Sequence, residues 1–183
     1  MQATPALSAP DASEYAPYFA KYVTLVAGTD VIAALEDQPR ETVSLLSSLS
    51  EEQGDFRYAT DKWSVKEVLG HLIDCERVFT YRALRFARHD ETPLASIEQD
   101  DYVRYSGCAE RHLADLIEEF VSLRRATIWL FRSLSPDAWT RRGTASGNPV
   151  TVRALAYITA GHELHHRRIL QEKYVAQLAI EGA

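Results

Sequence analysis

The sequence predicts an all-α fold, a four-helix bundle with a long crossover between its second and third helices. Four stretches carry apolar residues at three- and four-residue spacing, and no stretch shows the alternation of a half-buried strand. The polar connection that follows the second stretch is also longer than a tight turn and reads as a long crossover. With 183 residues, 46% of them hydrophobic, the chain can bury one sizeable core. One domain over residues 15–183 is expected, behind a loose arm, 1–14, that is rich in Ala, Pro and Ser.

The first helix is expected over about Thr29 to Leu49. Val31, Ile32, Leu35, Val43, Leu46 and Leu49 share one side, and Pro39 predicts a kink or an interruption. The second opens at Ser64, whose hydroxyl can cap free backbone amides while Glu67 reaches back, ahead of Val65, Val68, Leu69, Leu72 and Ile73. It should end near Arg88, where His89-Asp90-Glu91-Thr92-Pro93 begins the crossover. The third, about Glu110 to Leu134, has the most regular stripe: Leu113, Leu116, Ile117, Phe120, Leu123, Thr127, Ile128, Phe131 and Leu134. Arg142 to Pro149 reads as loop, and Thr151 is a plausible cap for a last helix from about Val152 to Tyr174.

Charge and composition exclude some functions. Acidic residues outnumber basic ones 26 to 20, which leaves no global electrostatic footprint for nucleic acid. Neither a basic leader nor an apolar run of the ~20 residues a membrane span needs is visible, so a cytoplasmic protein without membrane partners is expected. Cys75 and Cys108 stand far apart and outside any CxxC pair, and read as reduced thiols.

The last helix carries the chemistry. Its apolar stripe runs Leu155, Ile158, His162, His166 and Ile169, so two imidazoles stand where a buried face would otherwise carry apolar residues. Side chains four apart on a helix lie about 5–6 Å apart at Cβ, close enough to share an ion. Periodicity alone does not choose between His165 and His166 as the partner of His162. A further ligand must come from another helix, and His71, three residues after Val68 and four before Cys75, is a histidine on or near the buried face of the second helix. His89 and His112 lack partners at helical spacing and read as solvated.

Two segments carry a family resemblance. Asp61-Lys62-Trp63-Ser64-Val65-Lys66-Glu67-Val68-Leu69-Gly70-His71-Leu72-Ile73-Asp74 resembles the start of the second helix in the DinB-like, or YfiT-like, family of helical bundles. Gly161-His162-Glu163-Leu164-His165-His166-Arg167 resembles that family's other signature. The resemblance spans about residues 30 to 174. It implies a four-helix bundle with a divalent ion held by three histidines, carried here onto His71, His162 and His166. It also implies a homodimer, and either metal-dependent hydrolysis or transfer and isomerisation chemistry that uses low-molecular-weight thiols. The chain departs from many relatives in having Arg168-Ile169 where they have Gly-Gln after the arginine, which bears on packing of the last helix rather than on the ligands.

His162-Glu163-Leu164-His165-His166 is also a formal HExxH, the zinc-protease motif. A protease would need a further downstream ligand and a cleft that an all-helical chain of this length does not provide. Three neutral imidazoles instead leave the charge of a divalent ion uncompensated and a coordination position open, so water or a thiolate can be activated. Imidazoles take Zn, Ni, Cu and Fe alike; zinc or nickel is expected. Asp74, placed to hold the second ring nitrogen of a ligand, is the preferred supporting carboxylate, and Glu163 is a second candidate as supporting group or base. Glu67 is accounted for by its cap. Glu163, rotated about 100° from His162, is expected to face a neighbouring helix or solvent. Cys75 is either a soft ligand or a small buried thiol. The crossover, with Glu98, Asp100, Asp101, Tyr102 and Tyr105, and the Ser146-Gly147-Asn148-Pro149 loop are candidates for the rim of a pocket that takes a small-molecule substrate. Trp63, Trp129 and Trp139 read as packing residues. The competing expectation is a non-enzymatic, stress-associated metal-binding bundle in which a structural ion ties the second and last helices together.

Overall fold

A computed structural model of the chain describes residues 8–181, so most of the expected arm, 1–7, lies outside the described residues. The helices are α1 (Ala20–Val26), α2 (Val31–Leu46), α3 (Glu51–Gly54), α4 (Val65–Ala87), α5 (Gln99–Tyr105), α6 (Leu113–Arg132) and α7 (Val152–Ile169). A hairpin of β1 (Arg142–Ala145) and β2 (Asn148–Thr151) precedes α7, which continues through a π-helical turn, Leu170–Val175, into α8 (Ala176–Glu181). Among the described residues no single helix is long and apolar enough to cross a membrane.

The caps set the helix starts. Ser64 N donates to Glu67 Oε2 at 2.7 Å and Glu67 N to Ser64 Oγ at 3.2 Å, and Thr151 Oγ1 accepts from Ala154 N at 3.0 Å. The expected interruption at Pro39 does not occur, since α2 runs unbroken through it. Proline lacks the N–H that would satisfy the Leu35 carbonyl four residues earlier. That carbonyl instead accepts from Arg124 Nη1 of α6 at 3.3 Å. The helix stops at Leu46 rather than Leu49, and Ser50 caps the separate short helix α3. At the start of α6, Gly107 takes φ 66° and a 3-10 turn follows over Cys108–Glu110, so the helix begins at Leu113 instead of Glu110.

Four long helices form the bundle. α4 packs against α6 and α7, and α2 against the same two, so α2 lies diagonally across from α4 and α6 from α7. Apolar residues form two clusters. One holds Val31 and Leu35 of α2, Phe79 and Phe86 of α4, Phe131 of α6 and Val152 with residues 154–158 of α7; the other holds Leu46, Val65, Leu69, Leu116, Phe120 and Leu170. α4 and α6 therefore both run from the second cluster to the first, and α2 and α7 run the opposite way. Parallel α4 and α6 need the long crossover. Between the two clusters lies a polar layer contributed by all four helices: Gln38 and Thr42, His71 and Glu76, Arg124 and Thr127, His162 and Glu163, all buried.

Three features differ from the sequence expectation. Residues 142–149, expected as loop, form most of the hairpin, closed by Ser146 at φ 53° and Gly147 at φ 73°, the two-residue turn that matches strand twist. Four-residue strands with a single large apolar side chain, Val150, give no alternation to read. The crossover docks on this hairpin: Leu94 N donates to Thr144 O and Ser146 N to Leu94 O, both at 2.9 Å. The end of the expected arm is also held, because Asp11 caps a 3-10 turn and Glu14 is buried, with Thr151 Oγ1 donating to its Oε2 at 2.8 Å and Arg153 paired to it. Finally, α1 had no periodic signal. It packs on α7 so closely that a Cβ at Gly161 would lie 2.1 Å from the Tyr22 carbonyl oxygen, a contact only glycine permits.

Candidate metal centre

His71 comes from α4, and His162 and His166 from successive turns of α7. Ring nitrogens of the three lie within 4.8 Å of one another, and the Nε2 atoms of His71 and His162 are 3.2 Å apart. Two imidazoles bonded at about 2.0–2.1 Å to one tetrahedral ion would have their nitrogens about 3.3 Å apart, so this pair already has the separation of co-ligands. The rings lie on one another at 4.6 Å (His162 to His166), 4.9 Å (His71 to His166) and 5.0 Å (His71 to His162) between centroids. Aromatic walls hold them, with Trp63 4.7 Å from His71 and Tyr22 and Phe79 at 5.1 and 5.6 Å from His162. The donor set therefore fits a divalent transition-metal ion.

Burial keeps these imidazoles neutral, the form that binds metal. It pushes His71 down to about 4, against a weaker upward pull from Asp100. It pushes His166 down to about 3, helped by the neighbouring His71 and His165, and moves His162 well below the ordinary histidine range. The unfolded chain takes up these protons near pH 6.5 and the folded chain does not, so the stability of the metal-free protein is full above that pH. It falls as the pH drops through the window from 6.5 to about 4. At pH 5, His71 alone should cost about 2 kcal/mol. Urea unfolding of metal-free protein at pH 7 and pH 5 checks this, and equal stabilities would contradict it.

Of the two supporting carboxylates, Asp74 is not brought to the cluster. Three residues on from His71 it lies one ridge round the helix, half-buried, 3.5 Å from Arg77 in an ion-pair group with Glu119 and Arg111. Glu163 faces neighbouring helices and is buried. Thr42 Oγ1 donates to its Oε1 at 2.6 Å, and its Oε2 lies 2.5 Å from Arg124 Nη1, an ion-pair contact without hydrogen-bond alignment. Arg124 also donates to Glu76, Nε to Oε1 at 2.9 Å and Nη2 to Oε2 at 2.8 Å. Sequence reasoning missed Glu76 and Arg124. Arg124 stands four after Phe120 and three before Thr127, squarely on the stripe of α6, so the argument that singled out the histidines of α7 could have found it.

Cys75 Sγ is 3.7 Å from both nitrogens of the His71 ring but is not in the converging group, and burial pushes its thiol up to about 12. His165 is partly buried against Tyr22, while His89 and His112 are solvated and outside the site. Trp139 is buried and stacked on Phe131, but Trp129, expected to pack, is 69% exposed. Two cavities open onto the histidines. One, of about 500 Å³, reaches His71 and His162 and is rimmed by crossover residues 96–100 and by Ser146 and Asn148 of the hairpin. The other, of about 340 Å³, reaches His166 beside Trp63 and Tyr174. Gln99 and Asp100 line both.

No curated protein sequence matches this chain. Among solved structures the fold is similar to that of YfiT from Bacillus subtilis, described as a probable metal-dependent hydrolase with an unusual four-helix bundle topology. The TM-score is 0.70 over 89% of each chain, at 17% identity. The model of the DinB superfamily matches residues 34–170, a stretch that includes α4, α6, α7, most of α2 and the three clustered histidines, and the chain belongs to that superfamily.

Proposed function

We propose that His71, His162 and His166 hold one divalent ion, zinc or nickel, and that the chain is a metal-dependent hydrolase or a thiol S-transferase acting on a small molecule. The observation that carries this is the convergence of three neutral imidazoles from two helices, two buried and the third partly so, in the lining of two cavities. When bound, such an ion supplies the Lewis acidity that brings water or a thiol to its anion near neutral pH. The imidazoles contribute lone pairs and no charge. Trp63, Tyr22 and Phe79 exclude water from the flanks of the rings. Asp100, lining both cavities, is the carboxylate available there to accept a proton from the nucleophile. A structural ion is disfavoured because the cluster offers three protein ligands and no fourth among the described residues, and because its histidines line two cavities. The likeness to YfiT supports the hydrolase reading. A cytoplasmic homodimer is part of the same proposal, on the family's precedent. The test is a panel of activated esters, amides and thiol adducts, assayed with metal-loaded protein, metal-stripped protein and His162→Ala. Turnover should fall at least about 100-fold on stripping and in the variant. Turnover independent of both would overturn the proposal.

A further inference from the structure

The larger cavity contains a cation that the proposed chemistry does not use. Arg82 lies on the cavity-lining side of α4, in register with His71, Cys75 and Phe79, and is 6% exposed. Its Nη2 donates to Ala95 O at 2.9 Å and to Ser146 Oγ at 3.1 Å, which fixes the guanidinium between crossover and hairpin. Nε and Nη1 have no partner among the described residues, and no carboxylate there lies within ion-pair distance. Every other arginine or lysine buried to this degree is paired: Lys66 with Glu51 and Asp55, and Arg124 with Glu76 and Glu163. A buried, unpaired guanidinium is expensive unless a ligand completes it. Glu98 and Asp100 line the same cavity, but Asp100 acts on His71, at the opposite end.

We infer that Arg82 is the carboxylate-binding subsite of this cavity, and that the substrate is an elongated small molecule with a carboxylate at one end and its reacting group at the histidine cluster. The backbones of His71 and Arg82 are eleven residues apart, about 16 Å along the axis of α4, and both side chains line the one cavity, so a single elongated molecule can meet both. The free Nε–H and Nη1–H lie on different edges of the guanidinium, and each offers a charged donor to a single carboxylate oxygen. A cavity of about 500 Å³ is of the size that holds such a ligand. This assignment of substrate class rests on the proposed function, but anion binding itself does not require the metal.

The test uses hexanoate and hexanol as probes at low salt, with binding read by calorimetry. Wild type should prefer hexanoate. Arg82→Gln, which keeps an amide donor for Ala95 and Ser146, should weaken hexanoate at least about tenfold and leave hexanol unchanged, while Arg82→Lys should keep most of the preference. His71→Ala should lose metal and keep hexanoate binding, so failure of the metal site and failure of the anion site are separable. Equal binding of the two probes by wild type, no hexanoate binding, or hexanoate binding unaltered in Arg82→Gln would each overturn the inference. If Arg82→Gln does not fold, the wild-type preference and Arg82→Lys decide it.

Discussion

Arg124→Leu should destabilise the protein by about 3–5 kcal/mol, the largest loss expected from any single polar substitution in the bundle. Arg124 is 1% exposed and is the one cation in contact with the buried carboxylates of Glu76 and Glu163. Burial opposes its charge, but the two carboxylates outweigh that and hold its pKa above the ordinary arginine value. Removing it leaves two acids facing each other in a layer with apolar clusters above and below, and frees the Leu35 carbonyl that Pro39 cannot satisfy. A variant that also carries Glu76→Leu and Glu163→Met, with no stranded charge, should regain most of the loss. Urea denaturation of the three proteins measures this. An Arg124→Leu midpoint within error of wild type would show that the polar layer is not a stability determinant.

This layer also explains how the site is held. Arg124 crosses the bundle diagonal from α6 to Glu163 on α7, the residue after His162, so the backbone that presents His162 is pinned from the far side. Gln38 Nε2 donates to Ala160 O at 3.0 Å from α2, and α1 closes over Gly161. Three contacts thus fix the turn of α7 that must meet His71.

Helix periodicity made most of the fold legible, because four long amphipathic stripes with strong caps leave few alternatives. The convergence of His71 with His162 and His166 was legible for the same reason: histidines on apolar stripes, with a family resemblance to choose His166 over His165. What escaped lacks a local signal. α1 has seven residues and takes its order from packing on Gly161. The hairpin is specified by a Ser-Gly turn and by docking with Leu94, neither of which is periodic. Pro39 does not interrupt α2, because the carbonyl it leaves unsatisfied is repaired by a side chain 89 residues away. Asp74 misled because an offset of three was taken as facing the cluster, whereas the ridge it occupies faces α6 and Arg77.

His162→Ala should reduce bound metal from about one ion per chain to a small fraction of that, because His162 supplies one of the two clustered ligands on α7. His71→Ala should do the same by removing the α4 ligand, while His165→Ala, which alters a residue outside the cluster, should leave the content unchanged. The metal-free forms should stay folded at pH 7, since two large apolar clusters hold the bundle independently of the ion. Elemental mass spectrometry of untagged wild type and these three variants after reconstitution with zinc or nickel is the most direct measurement. The account predicts near-stoichiometric metal in wild type and His165→Ala and loss in His71→Ala and His162→Ala; a wild type that remains metal-free, or His71→Ala and His162→Ala that remain fully loaded, would contradict it.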